Sequence, residues 1–160
     1  MKMLIPLTLL ITSAGTASDF KPVVVGGVWH VVRSPQSGNC VMSATDRSGT
    51  RIAFIRLPDH SSAISFSNPS WQSLTARDAP QLRIGLNTWP YSYHKVTVQG
   101  DQIVGFFGPQ RLQDIVTNRR VVALDFRGQK LAIFYTDEAA AVALREVDRC
   151  AGYMSDPFKK

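Results

Sequence analysis

Two glutamates, two cysteines and three histidines are all that this chain of 160 residues contains of those types, and each shortage removes a class of chemistry. Glycoside hydrolysis by a carboxylate pair needs two acids flanking one bond. Here Glu138 and Glu146 share one helical stretch, and most aspartates fall in turn sequences. Nucleophilic hydrolysis needs a serine or cysteine within reach of an oriented base, but His30, His60 and His94 are scattered and no G-x-S-x-G elbow accompanies them. His30, in a strand beside Trp29, reads as structural, and His60 in P-D-H-S-S reads as a turn residue. No Walker loop and no G-x-G-x-x-G occurs. Without a C-x-x-C a redox-active dithiol is not expected, and two distant cysteines with three scattered histidines do not make a zinc ligand set. The expectation is no catalytic residue, no metal and no cofactor. An enzyme with a histidine-based site is the minor reading.

Long apolar runs are also missing. The run from Met3 to Ile11 is too short to cross a bilayer as a mature anchor. Preceded by Lys2 and followed by small residues, it has the layout of a secretory signal peptide over residues 1–17, cleaved after Ala17. The alternative for this stretch is a buried N-terminal strand or helix. Lys2 is the one charged residue in that leader, so the formal charge of +6 becomes +5 without it. About 140 residues then remain, enough for a single domain with a real core, spanning 18–152, ahead of a loosely held tail, 153–160. The charges are mixed in sign and form no stripe of the kind nucleic-acid binders carry, although a basic balance favours anionic surfaces.

An exported chain with two cysteines points to one disulfide, Cys40 to Cys150, which would tie the first strands to the last helix. The stretch from Val121 to Cys150 reads as a hairpin running into that helix. Val122, Leu124 and Phe126 alternate with Val121, Ala123 and Asp125, and Leu131, Ile133 and Tyr135 alternate with Ala132 and Phe134. By this alternation Asp125 faces away from the core. Gly128-Gln129 is read as the two-residue loop between the strands, with glycine first. Thr136 or Asp137 caps the helix, Ala140, Ala143, Leu144 and Val147 form its apolar face, and Gly152 ends it.

Upstream, strands are expected at Val28 to Arg33, Cys40 to Ala44, Arg51 to Leu57, Ala63 to Ser67, Gln81 to Leu86, His94 to Val98 and Ile103 to Phe107. Turn sequences such as Ser34 to Asn39 and Gln99 to Gln102 separate them. Trp71 and Leu74 lie in an irregular stretch and are candidates to plug one end of the core. The fold class is mainly β: an antiparallel sandwich or barrel of about eight short strands, with a short helix near 110–118 and a C-terminal helix near 137–150. The most suggestive surface feature is N-T-W-P-Y-S-Y-H, where Trp89, Tyr91, Tyr93 and His94 crowd rings into a loop or edge and form a candidate binding surface. Packing of these rings on the sheet is the competing reading.

A leader, a first strand with Trp29, Cys40 soon after, a series of short strands, L-A-I-F-Y and an Ala-rich helix ending L-R-E-V-D-R-C form a layout from Met1 to Cys150. That layout resembles small exported proteins of alphaproteobacteria, the invasion-associated locus B family among them. The resemblance implies a periplasmic or secreted β-sandwich without known catalytic residues, linked in some members to host-cell entry, and it carries over no functional residue. The function expected is therefore that of an exported, non-enzymatic binding protein of the bacterial envelope. Its partner would be a protein or glycan at the cell envelope or host surface, with no nucleic acid and no stable membrane anchor. The alternative is a periplasmic inhibitor or immunity protein that blocks a hydrolase by offering a loop, either Trp89 to His94 or the Asp59-His60 turn.

Overall fold

The structure is a computed structural model and describes residues 20–86, 92–118 and 121–153. The expected leader, and the tail beyond Tyr153, lie outside the described residues. Strands β1 (Val23–Val25), β2 (Trp29–Arg33), β3 (Cys40–Thr45), β4 (Arg51–Arg56), β5 (Ser62–Ser67), β8 (Thr97–Gln99) and β9 (Gln102–Phe107) form a seven-stranded sheet in the order β1-β2-β3-β4-β5-β9-β8. Strands β6 (Leu82–Leu86), β7 (Ser92–His94), β10 (Val121–Phe126) and β11 (Gln129–Tyr135) form a four-stranded sheet in the order β11-β10-β6-β7. Every pairing is antiparallel. Helices α1 (Pro109–Thr117) and α2 (Glu138–Ala151) complete the chain. The fold is a sandwich and not a closed barrel.

The described residues hold eleven strands, against the eight or so that the alternation suggests. Two differences account for most of this. Val23–Val25, at the extended entry to the domain, pairs with β2 and is a strand. The single strand expected over His94 to Val98 is split, because the chain changes sheets at Lys95-Val96. A strand that turns a corner keeps its period-two pattern on both sides, so alternation alone does not reveal the break.

One face of the large sheet carries the bulky apolar residues. Val31 lies opposite Met42, Met42 opposite Phe54, Phe54 opposite Ile64 and Ile64 opposite Gly105. Helix α2 covers the half built from β1 to β4, burying Ala140, Ala143, Leu144 and Val147 against it. The small sheet covers the other half, where Phe134 meets Phe66 at 6.1 Å between ring centroids. A Cβ on Gly105 would come within 2.9 Å of Ile84 Cδ1, so the absence of a side chain there lets the two sheets close. Trp71 and Leu74 pack partly buried against the core.

The α2 boundaries follow from local chemistry. Asp137 Oδ1 accepts from Ala140 N at 2.8 Å as the N-cap. Gly152, at φ 65°, ends the helix, and Tyr153 N donates to Asp148 O at 2.8 Å. Tyr153, assigned by sequence to the loose tail, is half-buried, and the Arg56 guanidinium lies 4.3 Å over its ring.

Candidate functional site

The hairpin of β10 and β11 corrects the sequence reading in one respect and extends it in another. Phe126 pairs with Gln129, so the two loop residues are Arg127 and Gly128, at φ 51° and 79°, and not Gly128-Gln129. Two positive φ values suit the twist of a tight hairpin, with glycine in the second place. Arg127 N donates to Gln81 O at 3.1 Å and Arg127 Nε donates to Gln81 Oε1, which pins the turn to the residue before β6.

Next to this turn the register slips. Leu124 pairs with Ala132 but Asp125 pairs with Lys130, leaving Leu131 as one extra residue on β11. Bulges of this kind re-aim side chains. Asp125 points to the outer face of the small sheet, as the alternation requires, with Lys130 beside it on β11 and Arg83 beside it on β6. It is not exposed there: only 8 % of its surface is accessible, and its Oδ2 has no hydrogen-bond partner. A buried polar atom without a partner carries a desolvation cost and calls for an explanation.

Gln81, Arg83, Asp125, Gly128 and Lys130 line a cleft of about 380 Å³. Arg83 is held at its edge by two bonds from Nη1, to Pro80 O at 2.6 Å and Leu82 O at 2.8 Å. Among the described residues, its Nε and Nη2 make no hydrogen bond. The cleft thus brings Arg83, Asp125 and Lys130 together from three adjacent strands, β6, β10 and β11. Along the same strand, Leu131, Ile133 and Tyr135 are exposed by 37 %, 41 % and 71 %.

The sequence singled out other residues, and the structure separates them. Cys40 and Cys150 form the disulfide, with Cα atoms 5.9 Å apart across a separation of 110 residues. Trp89 and Tyr91 lie outside the described residues. Tyr93 pairs with Gly85 in β7, and its side chain is likewise outside the description. His94 pairs with Ile84 and turns toward the space between the sheets, half-buried and edge-on to Phe107 at 4.8 Å. Burial lowers its pKa, and the charge of Arg111 adds to the effect.

The three histidines sit on different elements: His30 is exposed on β2, and His60 lies in the β4–β5 turn at φ 66°. In the Asp59-His60 turn Asp59 is exposed and His60 is half-buried. Asp59 Oδ1 accepts from Ser61 N at 2.9 Å and Ser61 Oγ at 2.6 Å, and the His60 ring lies 5.3 Å from that of Tyr153. These Ser61 bonds hold the Asp59 carboxyl below its ordinary pKa. Among the described residues no group of three or more His, Cys, Asp or Glu could hold a metal ion.

No family model, curated protein or solved structure matches this chain. Among the described residues no helix is long and apolar enough to cross a membrane. The functional reading therefore rests on residues alone. The cleft around Asp125 is the feature that sequence reasoning missed, although a trace of it was present: Asp125 is the one acid inside an otherwise apolar V-V-A-L-D-F strand.

Proposed function

We propose that this chain is an exported, non-enzymatic binding protein of the bacterial envelope, and that the Asp125 cleft is where it takes its ligand. The observation that carries the binding reading is the largely buried Asp125 carboxyl, which lines an open cleft between Arg83 and Lys130. Polar groups of opposite sign converging on a cleft are what a binding site uses to orient a ligand. Export is supported by the leader-like N-terminus and by the Cys40–Cys150 disulfide, a bond that persists in oxidising compartments. The resemblance in layout to the invasion-associated locus B family is in keeping with this reading. A protein or glycan of the envelope or host surface is the partner class.

The test is a capture experiment with the exported form of the protein immobilised and exposed to envelope extract. Parent protein should retain a component that the Asp125→Asn and Arg83→Gln variants do not. Equal capture by all three would remove the cleft from the account, and recovery of the protein from the cytosolic fraction with its N-terminus intact would remove export.

A further inference from the structure

A sheet edge invites pairing by any strand that meets it, and folded proteins keep their edges short, charged or broken by proline. Among the described residues three of the four sheet edges follow that rule, since β1, β7 and β8 have three residues each. The fourth does not. Strand β11 runs for seven residues, Gln129–Tyr135, and among the described residues it pairs with β10 alone. One row of its peptide N–H and C=O groups therefore faces away from the sheet. Its single charged residue, Lys130, sits beside the bulge at the turn end, and Leu131 to Tyr135 contains neither charge nor proline. That same stretch exposes Leu131, Ile133 and Tyr135.

The two ends of the strand differ in sign. Arg127 and Lys130 stand at the turn end, whereas Asp137 and Glu138 follow the other end, and all four are exposed. Two such strands meeting in parallel would set like charges side by side. Meeting antiparallel, they set each basic end near an acidic one, so the edge is complementary in charge to a second copy of itself.

We infer that β11 is the interface of a two-fold symmetric homodimer, pairing antiparallel with β11 of a second copy about Ile133. In this register Ile133 lies opposite its own counterpart and Leu131 lies opposite Tyr135 of the second copy, so the exposed apolar residues form one stripe across the seam. Ala132 lies opposite Phe134 of the second copy, small against large. An axis at Phe134 would instead set Leu131 against Asp137, and one at Ala132 would set Lys130 against Phe134. Of the three registers, the Ile133 axis alone keeps apolar residues together. The pairing uses the long edge of both copies, so it closes at two and does not propagate into a fibre.

This inference does not rest on the Asp125 cleft, and neither Ile133 nor Tyr135 lines it. Sedimentation of the purified protein, loaded between about 1 µM and about 1 mM, reads the equilibrium. A seam of one strand pair is small, so a dissociation constant of about 10–100 µM is expected. Ile133→Lys and Ile133→Glu each set like charges opposite one another on the axis and should each weaken the dimer at least about tenfold, with an unchanged circular dichroism spectrum. An equimolar mixture of the two variants should recover the dimer, because opposite charges then meet across the axis.

Should Ile133→Lys not fold, Tyr135→Lys carries the result: this position is exposed by 71 %, and a lysine there meets the basic end of the second copy. It too should weaken the dimer at least about tenfold. The inference is overturned by a parent that stays monomeric at about 1 mM, by a dimer unaffected in the folded variants, or by a mixture that stays monomeric. A monomeric parent that captures an envelope component which Ile133→Lys does not would overturn it in favour of a strand from another protein on the same edge.

Discussion

Asp148 Oδ1, on α2, accepts from both Nε and Nη2 of Arg56, on β4, at 3.1 and 2.8 Å across 92 residues of sequence. Arg56 is fully buried and also donates from Nη1 to Pro109 O at 2.6 Å, so one guanidinium joins β4, α1 and α2. Burial nevertheless raises the Asp148 pKa above its ordinary 3.8, because removing the carboxylate from water outweighs the help it gets from Arg56.

That balance separates substitutions at the two ends of the pair. Asp148→Ala leaves a buried guanidinium without its counter-charge and should cost about 3–5 kcal/mol. Asp148→Asn keeps an accepting oxygen and should cost less. Replacing both residues by apolar ones, Arg56→Met with Asp148→Leu, should cost less than Asp148→Ala alone, since no charge is then stranded. Urea unfolding curves give the comparison.

The pH dependence has a definite sign. With its folded pKa raised, Asp148 holds its proton more firmly in the folded than in the unfolded chain, so its contribution is fully present below 3.8 and is lost as pH rises through the folded value. Relative to the parent, Asp148→Asn should therefore gain stability as pH is raised through that window. A difference that stays flat with pH would mean the carboxyl titrates normally.

The disulfide fastens the same helix to the adjacent strand: Cys40 on β3 pairs in register with Arg56 on β4, and Cys150 lies two residues beyond Asp148. Replacing both cysteines by alanine should lower stability by up to about 4–5 kcal/mol, the chain-entropy figure for so long a loop. Because the bond and the ion pair hold one helix, this loss and that of Asp148→Ala should combine non-additively. Intact-mass measurement after alkylation without reductant should find no reactive thiol in the oxidised protein.

Gly26 and Gly27 form a matched pair in the β1–β2 turn, at φ 60° and 68°. A Cβ on Gly27 meets nothing, whereas one on Gly26 would lie 2.7 Å from Ala139 Cβ on α2. Gly27→Ala should cost only the left-handed backbone penalty, about 1–2 kcal/mol. Gly26→Ala should cost about 1–3 kcal/mol more through overlap, and Ala139→Gly should recover part of the excess. Thermal melts of Gly27→Ala, Gly26→Ala and the Gly26→Ala/Ala139→Gly double variant decide it, and equal effects of the two glycine substitutions would mean α2 does not touch the turn.

Much of the fold was legible because its signals are local. The helix from Glu138 to Ala151 declares itself by an acidic cap, apolar steps of three and four, and a terminal glycine. The strands declare themselves by alternation. Other features are not legible along the chain: R-G and G-Q are both acceptable turn dipeptides, so the sequence does not distinguish a loop at Arg127-Gly128 from one a residue later. A change of sheet does not alter the period, so the break between His94 and Thr97 is invisible in the alternation.

Composition and period are properties of neighbours along the chain, and they were enough to establish a mainly β domain, a closing helix and a single possible cysteine pair. Which polar groups are buried is a property of neighbours in space. Alternation put Asp125 on the outer face, and only the packed sheet, with a bulge on one side and Arg83 on the other, removed that carboxylate from water. Arg56 likewise reads as a surface residue at a strand end until α2 folds over it and supplies Asp148. The cost of burying a charge is set by what the rest of the chain brings to it, so the clamp and the cleft emerge only in three dimensions.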